Sequence, residues 1–363
     1  MLIGIDANEA NVANRVGSNK FAYQVLKQLY SQDKHNNYRI YLKNKPVKDL
    51  PDANSKWQYS VLQPTKLWTQ WRLPLNLYFA KPRPDIFLTL GHYAPRFSPI
   101  PTIITIMDLA FLKFPQHFLK KDLHKLKNWT KYSAQQAKHI FTISQHSKQD
   151  IIKYYKIPAQ KITVTYPAIE HQRFQIKAKT SKYKDYLLYL GTLQPRKNLL
   201  NLIKAHSQLP EKYSKFKLII AGKKGWLYQD LFQQVKDLNL KNKVIFTGFI
   251  PEPHIPSLIK NAQLLILPSF YEGFGIPVVQ SMSASTLVLV SKNSSLKEIV
   301  KNTGMYIQSP FGVKETRQGI IKALSLSEVK KQQLIKQAKQ RARQFNWQKT
   351  GQKILEVIHE LNL

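Results

Sequence analysis

Cysteine is absent from the 363 residues. The chain therefore forms no disulfide framework, thiolate zinc site or cysteine nucleophile, and redox chemistry on the protein itself is excluded. Acidic residues are scarce: 21 Asp and Glu stand against 56 Lys and Arg, a formal charge of +35. No Asp-x-Asp pair occurs, and the ten histidines show neither His-x3-His nor His-Glu-x2-His spacing, so a metal-bridged diphosphate is not expected. No apolar run approaches the ~20 residues of a spanning helix. Met1 to Asn11 lacks the basic start and apolar stretch of a signal peptide, and a cytoplasmic chain is expected.

What is abundant is positive charge, which attracts phosphates, nucleic acid or an anionic membrane face without choosing among them. The lysines run along the whole chain, which fits a general lysine bias equally well. Nucleic-acid binding rests on charge alone, because no helix-turn-helix, zinc finger or aromatic RNA-recognition motif is present. A hydrophobic fraction of 43% and an aromatic fraction of 11% are those of a folded protein, and the length favours two domains.

Short β-rich apolar runs alternate with amphipathic segments, the pattern of parallel sheets covered by helices on both faces. The first half reads as six strands, Leu2–Ile5, Tyr38–Leu42, Ile86–Leu90, Thr102–Ile106, His139–Ile143 and Ile162–Tyr166. A polar, basic stretch from Glu170 to Lys184 is expected to be an interdomain linker. The alternation restarts with five strands, Tyr186–Leu190, Lys217–Ala221, Val244–Thr247, Leu264–Leu267 and Leu287–Val290, and a last helix from Trp347 to Leu361 stands apart. In such sheets ligands bind beyond the carboxyl ends of the strands, and with two units the cleft between them is the expected active site.

Two loops stand at such positions. Gly191-Thr192-Leu193-Gln194-Pro195-Arg196-Lys197-Asn198 places a small turn and two adjacent cations between a strand and a helix. Arg196 offers forked hydrogen bonds, Lys197 a point charge and the helix further donors, which suits a diphosphate; both side chains are expected on an exposed loop. After Leu267, Glu272-Gly273-Phe274-Gly275-Ile276-Pro277 puts a carboxylate and two glycines before a proline suited to a first helical turn. The carboxylate either accepts from sugar hydroxyls or serves the helix amides and macrodipole.

These residues carry a resemblance to the family 4 glycosyltransferases, retaining enzymes of GT-B fold that include many mannosyl- and glucosyltransferases. It rests on Leu190 to Leu199, Gly248-Phe249-Ile250, Pro268-Ser269 with Glu272 to Pro277, Ile3 to Ala7, Val16-Gly17-Ser18, Asp108 to Phe111 and Phe345-Asn346-Trp347. The resemblance implies two tandem Rossmann-like doubly wound α/β domains facing across a cleft: residues 1–169 on the acceptor side, completed by a C-terminal helix 346–363, and residues 170–345 for the nucleotide sugar. It implies a hexose moved from a GDP- or UDP-sugar to a polysaccharide, lipid-linked or other glycan acceptor, with no cofactor beyond the nucleotide sugar as co-substrate. Arg196 and Lys197, with Gly191 and Thr192, would hold the diphosphate, and Gly17 with Ser18 would close on it. Glu272 would hold the sugar hydroxyls beside Gly273, Phe274 and Gly275, Phe249 would face the base, and Asp108 would serve catalysis.

Two positions depart from the family pattern. Gln280 stands where a second glutamate is usual, and can still hydrogen-bond a ribose. Met107 stands where a histidine commonly precedes Asp108, and a thioether donates no hydrogen bond. An inactive nucleotide-sugar-binding relative is the alternative these suggest. The isolated His92, His117 and His254 read as ordinary polar or partly buried residues. Two basic aromatic stretches, Lys66 to Leu73 with Trp68, Trp71 and Arg72, and Lys113 to Lys131, suit either ordinary helix packing or an anionic membrane surface at the inner face.

Overall fold

A computed structural model describes residues 1–175 and 183–361. By contacts these fall into two compact units. The first comprises Met1–Lys113, Lys120–Pro167 and the described residues from Asn346 to Leu361; the second comprises Phe114–Leu119 and the described residues of Ala168–Phe345.

The first unit is built on seven parallel strands: β1 (Leu2–Asp6), β2 (Asn37–Leu42), β3 (Trp57–Val61), β4 (Ile86–Thr89), β5 (Thr102–Ile106), β6 (His139–Thr142) and β7 (Ile162–Val164). Their order in the sheet is β3-β2-β1-β4-β5-β6-β7, so the winding direction reverses between β1 and β4. The central strands β4, β5 and β6 are buried at every residue, as strands covered on both faces must be. The C-terminal helix Trp347–Glu360 buries Trp347, Thr350, Ile354, Val357 and Ile358 along one stripe and is capped by Asn346, whose side chain accepts from the Gln348 and Lys349 amides. It packs on the helix Ser18–Gln32, with Phe21 and Trp347 ring centroids 6.0 Å apart.

The second unit repeats the plan with six parallel strands: β8 (Tyr186–Leu190), β9 (Lys217–Ala221), β10 (Val244–Gly248), β11 (Leu264–Leu267), β12 (Val288–Ser291) and β13 (Met305–Ile307). The order is β10-β9-β8-β11-β12-β13, and the reversal lies between β8 and β11.

Several expectations need correction. Each sheet has one strand more than the sequence reading found, β3 and β13. Phe114–Leu119, counted there with the first domain, groups with the second unit. Within the expected linker Glu170–Lys184, His171–Phe174 forms a single 3-10 turn, whereas residues 176–182 lie outside the described residues. In the basic aromatic stretch Lys66 to Leu73, left open between helix packing and a membrane surface, Trp68 is buried with Tyr41, Leu62, Leu73, Leu77 and Phe87, and its indole N–H donates to the Leu62 carbonyl at 3.1 Å.

Candidate active site

The carboxyl ends of β8 and β11 are adjacent at the reversal of winding in the second unit, where an open parallel sheet leaves a crevice. The loops that follow these strands carry Arg196 with Lys197 and Glu272 respectively.

The loop after β8 is held by its neighbour after β9. The Gly191 amide donates to the Ala221 carbonyl at 2.9 Å, the Leu193 amide to Lys223 at 3.0 Å, and the Gly225 amide back to Leu193 at 3.0 Å. Gly222 permits this approach: a Cβ there would lie 1.9 Å from the carbonyl oxygen of Gly191, and its φ is +151°. Because the obstacle is backbone, Gly222→Ala is expected to push the two loops apart and to lower stability by about 2 kcal/mol or more, read by urea denaturation.

Beyond Gln194 the chain makes one 3-10 turn, Pro195–Lys197, and leaves it through Asn198 in the left-handed conformation, φ 59°. The Asn198 amide group donates to the Pro268 carbonyl at 3.0 Å and to Pro310 at 2.6 Å, tying the turn to the loop after β11. This geometry sends Lys197 inward, contrary to the expected exposed loop. Lys197 is 9% exposed and Glu272 is 5% exposed. The Lys197 ammonium donates to both Glu272 oxygens at 2.6 and 2.8 Å, and Ser269 donates to Oε1 at 2.6 Å. Arg196, half-buried beside them, donates to the Tyr271 carbonyl at 3.3 Å.

Burial alone pushes the Glu272 carboxyl up. The charges of Lys197 and Arg196, with hydrogen bonds from Lys197 and Ser269, outweigh it and hold the group below its ordinary value. The carboxylate is thus ionised and fixed. Its backbone is fixed as well: the Glu272 amide donates to Ser294 Oγ at 3.0 Å, and Ser295 Oγ donates to the Glu272 and Phe274 carbonyls at 2.8 and 3.1 Å. Asn293 donates to the carbonyls of Ser269 and Phe270. Gly275, at φ +102°, then opens the helix Ile276–Ser283, whose first turn contains Pro277.

Arg196, Lys197, Glu272 and the amino end of that helix therefore come together, with Gly191 and Thr192 opening the same loop. Gly273 and Phe274 lie on the path into the helix, the Phe274 ring packed against Phe345 at 5.2 Å. Gln280 is buried farther along the helix, and Phe249 follows β10, half exposed. The other candidates belong to the first unit. Gly17 precedes the helix that starts at Ser18, whose hydroxyl donates to Glu9 at 3.4 Å. Asp108 accepts from the Ala110 amide at 2.9 Å, and Met107 is buried.

The sequence reading missed several contributors. Asn293, Ser294 and Ser295 carry no motif of their own and are recognisable only once β12 lies beside β11, whereas Ser269 stood in the Pro268-Ser269 motif without a role assigned to it. Lys223 and Lys224, exposed after β9, were visible as a Gly-Lys-Lys-Gly turn at a strand's carboxyl end. His117, read as ordinary, stacks on Phe114 (5.5 Å) and lies tilted against Phe270 (5.3 Å) in the second unit. Burial, and then the charge of Arg196, lower its pKa, so the imidazole is neutral at pH 7. Among the described residues no three His, Asp or Glu side chains group as metal ligands.

Residues 169–341 match the family model for glycosyl transferases group 1, and residues 37–173 match Glycosyltransferase Family 4. The O-antigen chain mannosyltransferase B of Escherichia coli is 30% identical over 264 residues, covering 68% of this chain and 67% of that protein. The O-antigen chain mannosyltransferase RfbU of Salmonella typhimurium is 30% identical over 204 residues, 56% of each chain, so the match spans little more than half of that relative. Among solved structures, sucrose-phosphate synthase from Thermosynechococcus elongatus superposes with a TM-score of 0.78 at 16% identity, covering 99% of this chain and 98% of that one. Anabaena HepE in complex with UDP-glucose gives 0.73 at 20% identity, covering 99% of both. These two bear on the fold, which is GT-B. With the loop after β8, the Glu272 loop and the doubly wound order in both units, these matches show that the chain belongs to the family 4 glycosyltransferases.

Proposed function

We propose that the second unit binds a nucleoside-diphosphate hexose, a GDP- or UDP-sugar, and that the protein transfers the hexose with retention to a polysaccharide, lipid-linked or other glycan acceptor. The observation that carries this reading is the ionised Glu272 clamped by Lys197, with Arg196 beside it, at the switch point between β8 and β11. Two of the three charges cancel within the Lys197–Glu272 pair. Arg196, the exposed Lys223 and Lys224 and the amino end of the helix Ile276–Ser283 would meet a diphosphate. Glu272 takes the sugar hydroxyls as a carboxylate already oriented by Lys197 and Ser269. As the bond between sugar and diphosphate loosens, the cations and helix end stabilise the charge that develops on the leaving group, and an acceptor hydroxyl attacks from the same face. Retention is supported by the family, and a hexose by the mannosyltransferases among the similar sequences.

The cationic loop takes the part that a metal plays elsewhere, and the nucleotide sugar is the only co-substrate. Turnover is therefore expected to persist in excess EDTA; complete loss restored by one divalent ion would refute this. In this reading the reaction takes place on the cytoplasmic side. Thermal-shift screening of GDP- and UDP-hexoses tests the donor class, since a selective ligand raises the melting temperature. No shift with any of them would count against the reading. Met107 favours a second reading, a relative that binds the donor without transferring it, and product formation separates the two.

A further inference from the structure

In the first unit the turn Trp68–Arg72 runs directly into the helix Leu73–Phe79. Its inner face, Trp68, Leu73 and Leu77, is committed to the core. Its outer face is also apolar: Leu67, Trp71, Leu75, Tyr78 and Phe79 recur at helical spacing, and all are exposed, Trp71 by 63% and Phe79 by 79%. A stripe of five large apolar side chains turned outward is not what a solvated helix shows. Its surroundings have a single sign. Lys66, Lys81 and Arg83 are exposed, and no Asp or Glu occurs between Asp52 and Asp85.

A second basic element adjoins it. The Arg96 amide donates to Gln70 Oε1 at 3.0 Å, and Tyr132 donates to the Arg96 carbonyl at 3.1 Å, with the guanidinium 4.7 Å over the Tyr132 ring. Phe97, next in the chain, is 65% exposed. Tyr132 belongs to the helix Lys120–Gln136, which exposes Lys125 and Lys131.

We propose that this face docks on an anionic lipid bilayer, with Trp71, Leu75, Tyr78 and Phe79 entering the interface and the flanking lysines and arginines meeting lipid phosphates. Aromatic and aliphatic side chains flanked by cations are complementary to that surface, the one exposed carboxylate on these two elements being Asp122 in the first turn of the helix that carries Lys125 and Lys131. Among the described residues no helix is long and apolar enough to cross a membrane, so the contact is one of lying on the surface. The proposal rests on exposure and charge and stands apart from the donor-site reading.

Co-sedimentation of the full chain with vesicles of phosphatidylcholine alone, and of phosphatidylcholine with phosphatidylglycerol, tests it. Binding to the anionic vesicles only is expected, weakening as salt is raised. Trp71→Ser with Phe79→Ser is expected to lower partitioning about tenfold or more at an unchanged melting temperature. Should that variant unfold, Lys66→Glu with Lys81→Glu decides, and is expected to abolish the preference for anionic lipid. Equal binding to both vesicles, binding to neither, or insensitivity to both variants would overturn the proposal. So would a dimer in solution that Trp71→Ser converts to monomer, because the face would then be a contact between copies.

Discussion

Replacing Glu272 by glutamine is expected to reduce sugar transfer about a hundredfold or more, while nucleotide binding falls far less. The amide keeps the shape of the carboxylate and the hydrogen bond from Ser269 but removes the charge that Lys197 and the sugar hydroxyls meet. The same change strands a buried ammonium, and breaking one side of a buried pair costs about 3–5 kcal/mol. Activity and stability must therefore be read separately, transfer at a temperature where the variant is folded and stability by urea titration. The sign of the pH dependence identifies the pair. The folded carboxyl has a pKa below the unfolded value of about 4.5, so its stabilisation is fully present above that pH and is lost as pH falls through the lower folded value. The stability gap between wild type and Glu272→Gln should accordingly narrow on acidification, and a gap constant from pH 7 downward would contradict the ionised pair.

Arg196→Ala and Lys197→Ala, adjacent in sequence, are expected to fail in different ways. Arg196 is half-buried and its loss removes a forked donor from the diphosphate, so affinity for the nucleotide sugar should fall roughly tenfold to a hundredfold, the worth of one charge-assisted contact, with stability little changed. Lys197 is buried against Glu272, and its loss leaves a carboxylate without its counter-charge. That variant should be destabilised by about 3–5 kcal/mol, with the carboxyl pKa pushed up. Calorimetry with the nucleotide sugar and urea titration of both variants separate the cases. Equal destabilisation by both, or unchanged affinity in Arg196→Ala, would refute the division of labour.

That division was not legible in the sequence. Arg196 and Lys197 read as a pair of loop cations, and which one turns inward depends on the 3-10 turn and on Asn198, whose bonds reach Pro268 and Pro310. Trp68 and Trp71 pose the same problem: both sit in one basic aromatic stretch, and only packing against Tyr41 and Phe87 decides which is core. The alternation of strands and helices was legible because buried parallel strands such as β8 and β11 are uninterrupted apolar runs. β13 has three residues, too few to show a period, and β3 is a sheet-edge strand of mixed polarity, Trp57-Gln58-Tyr59-Ser60-Val61. Glu272 was found because a carboxylate, two glycines and a proline precede a helix. Its supports Ser294 and Ser295 were not, because they lie more than twenty residues away in the chain.

The central claim is that the Lys197–Glu272 clamp holds the transferred sugar in a working enzyme. Its most direct test is a transfer assay with radiolabelled GDP- and UDP-hexoses and a membrane extract as acceptor, run on wild type and Glu272→Gln under conditions in which both bind the nucleotide. Transfer by wild type from one donor, lost in Glu272→Gln with binding retained, is the expected result. Wild type inactive with every donor, or Glu272→Gln as active as wild type, would contradict the account.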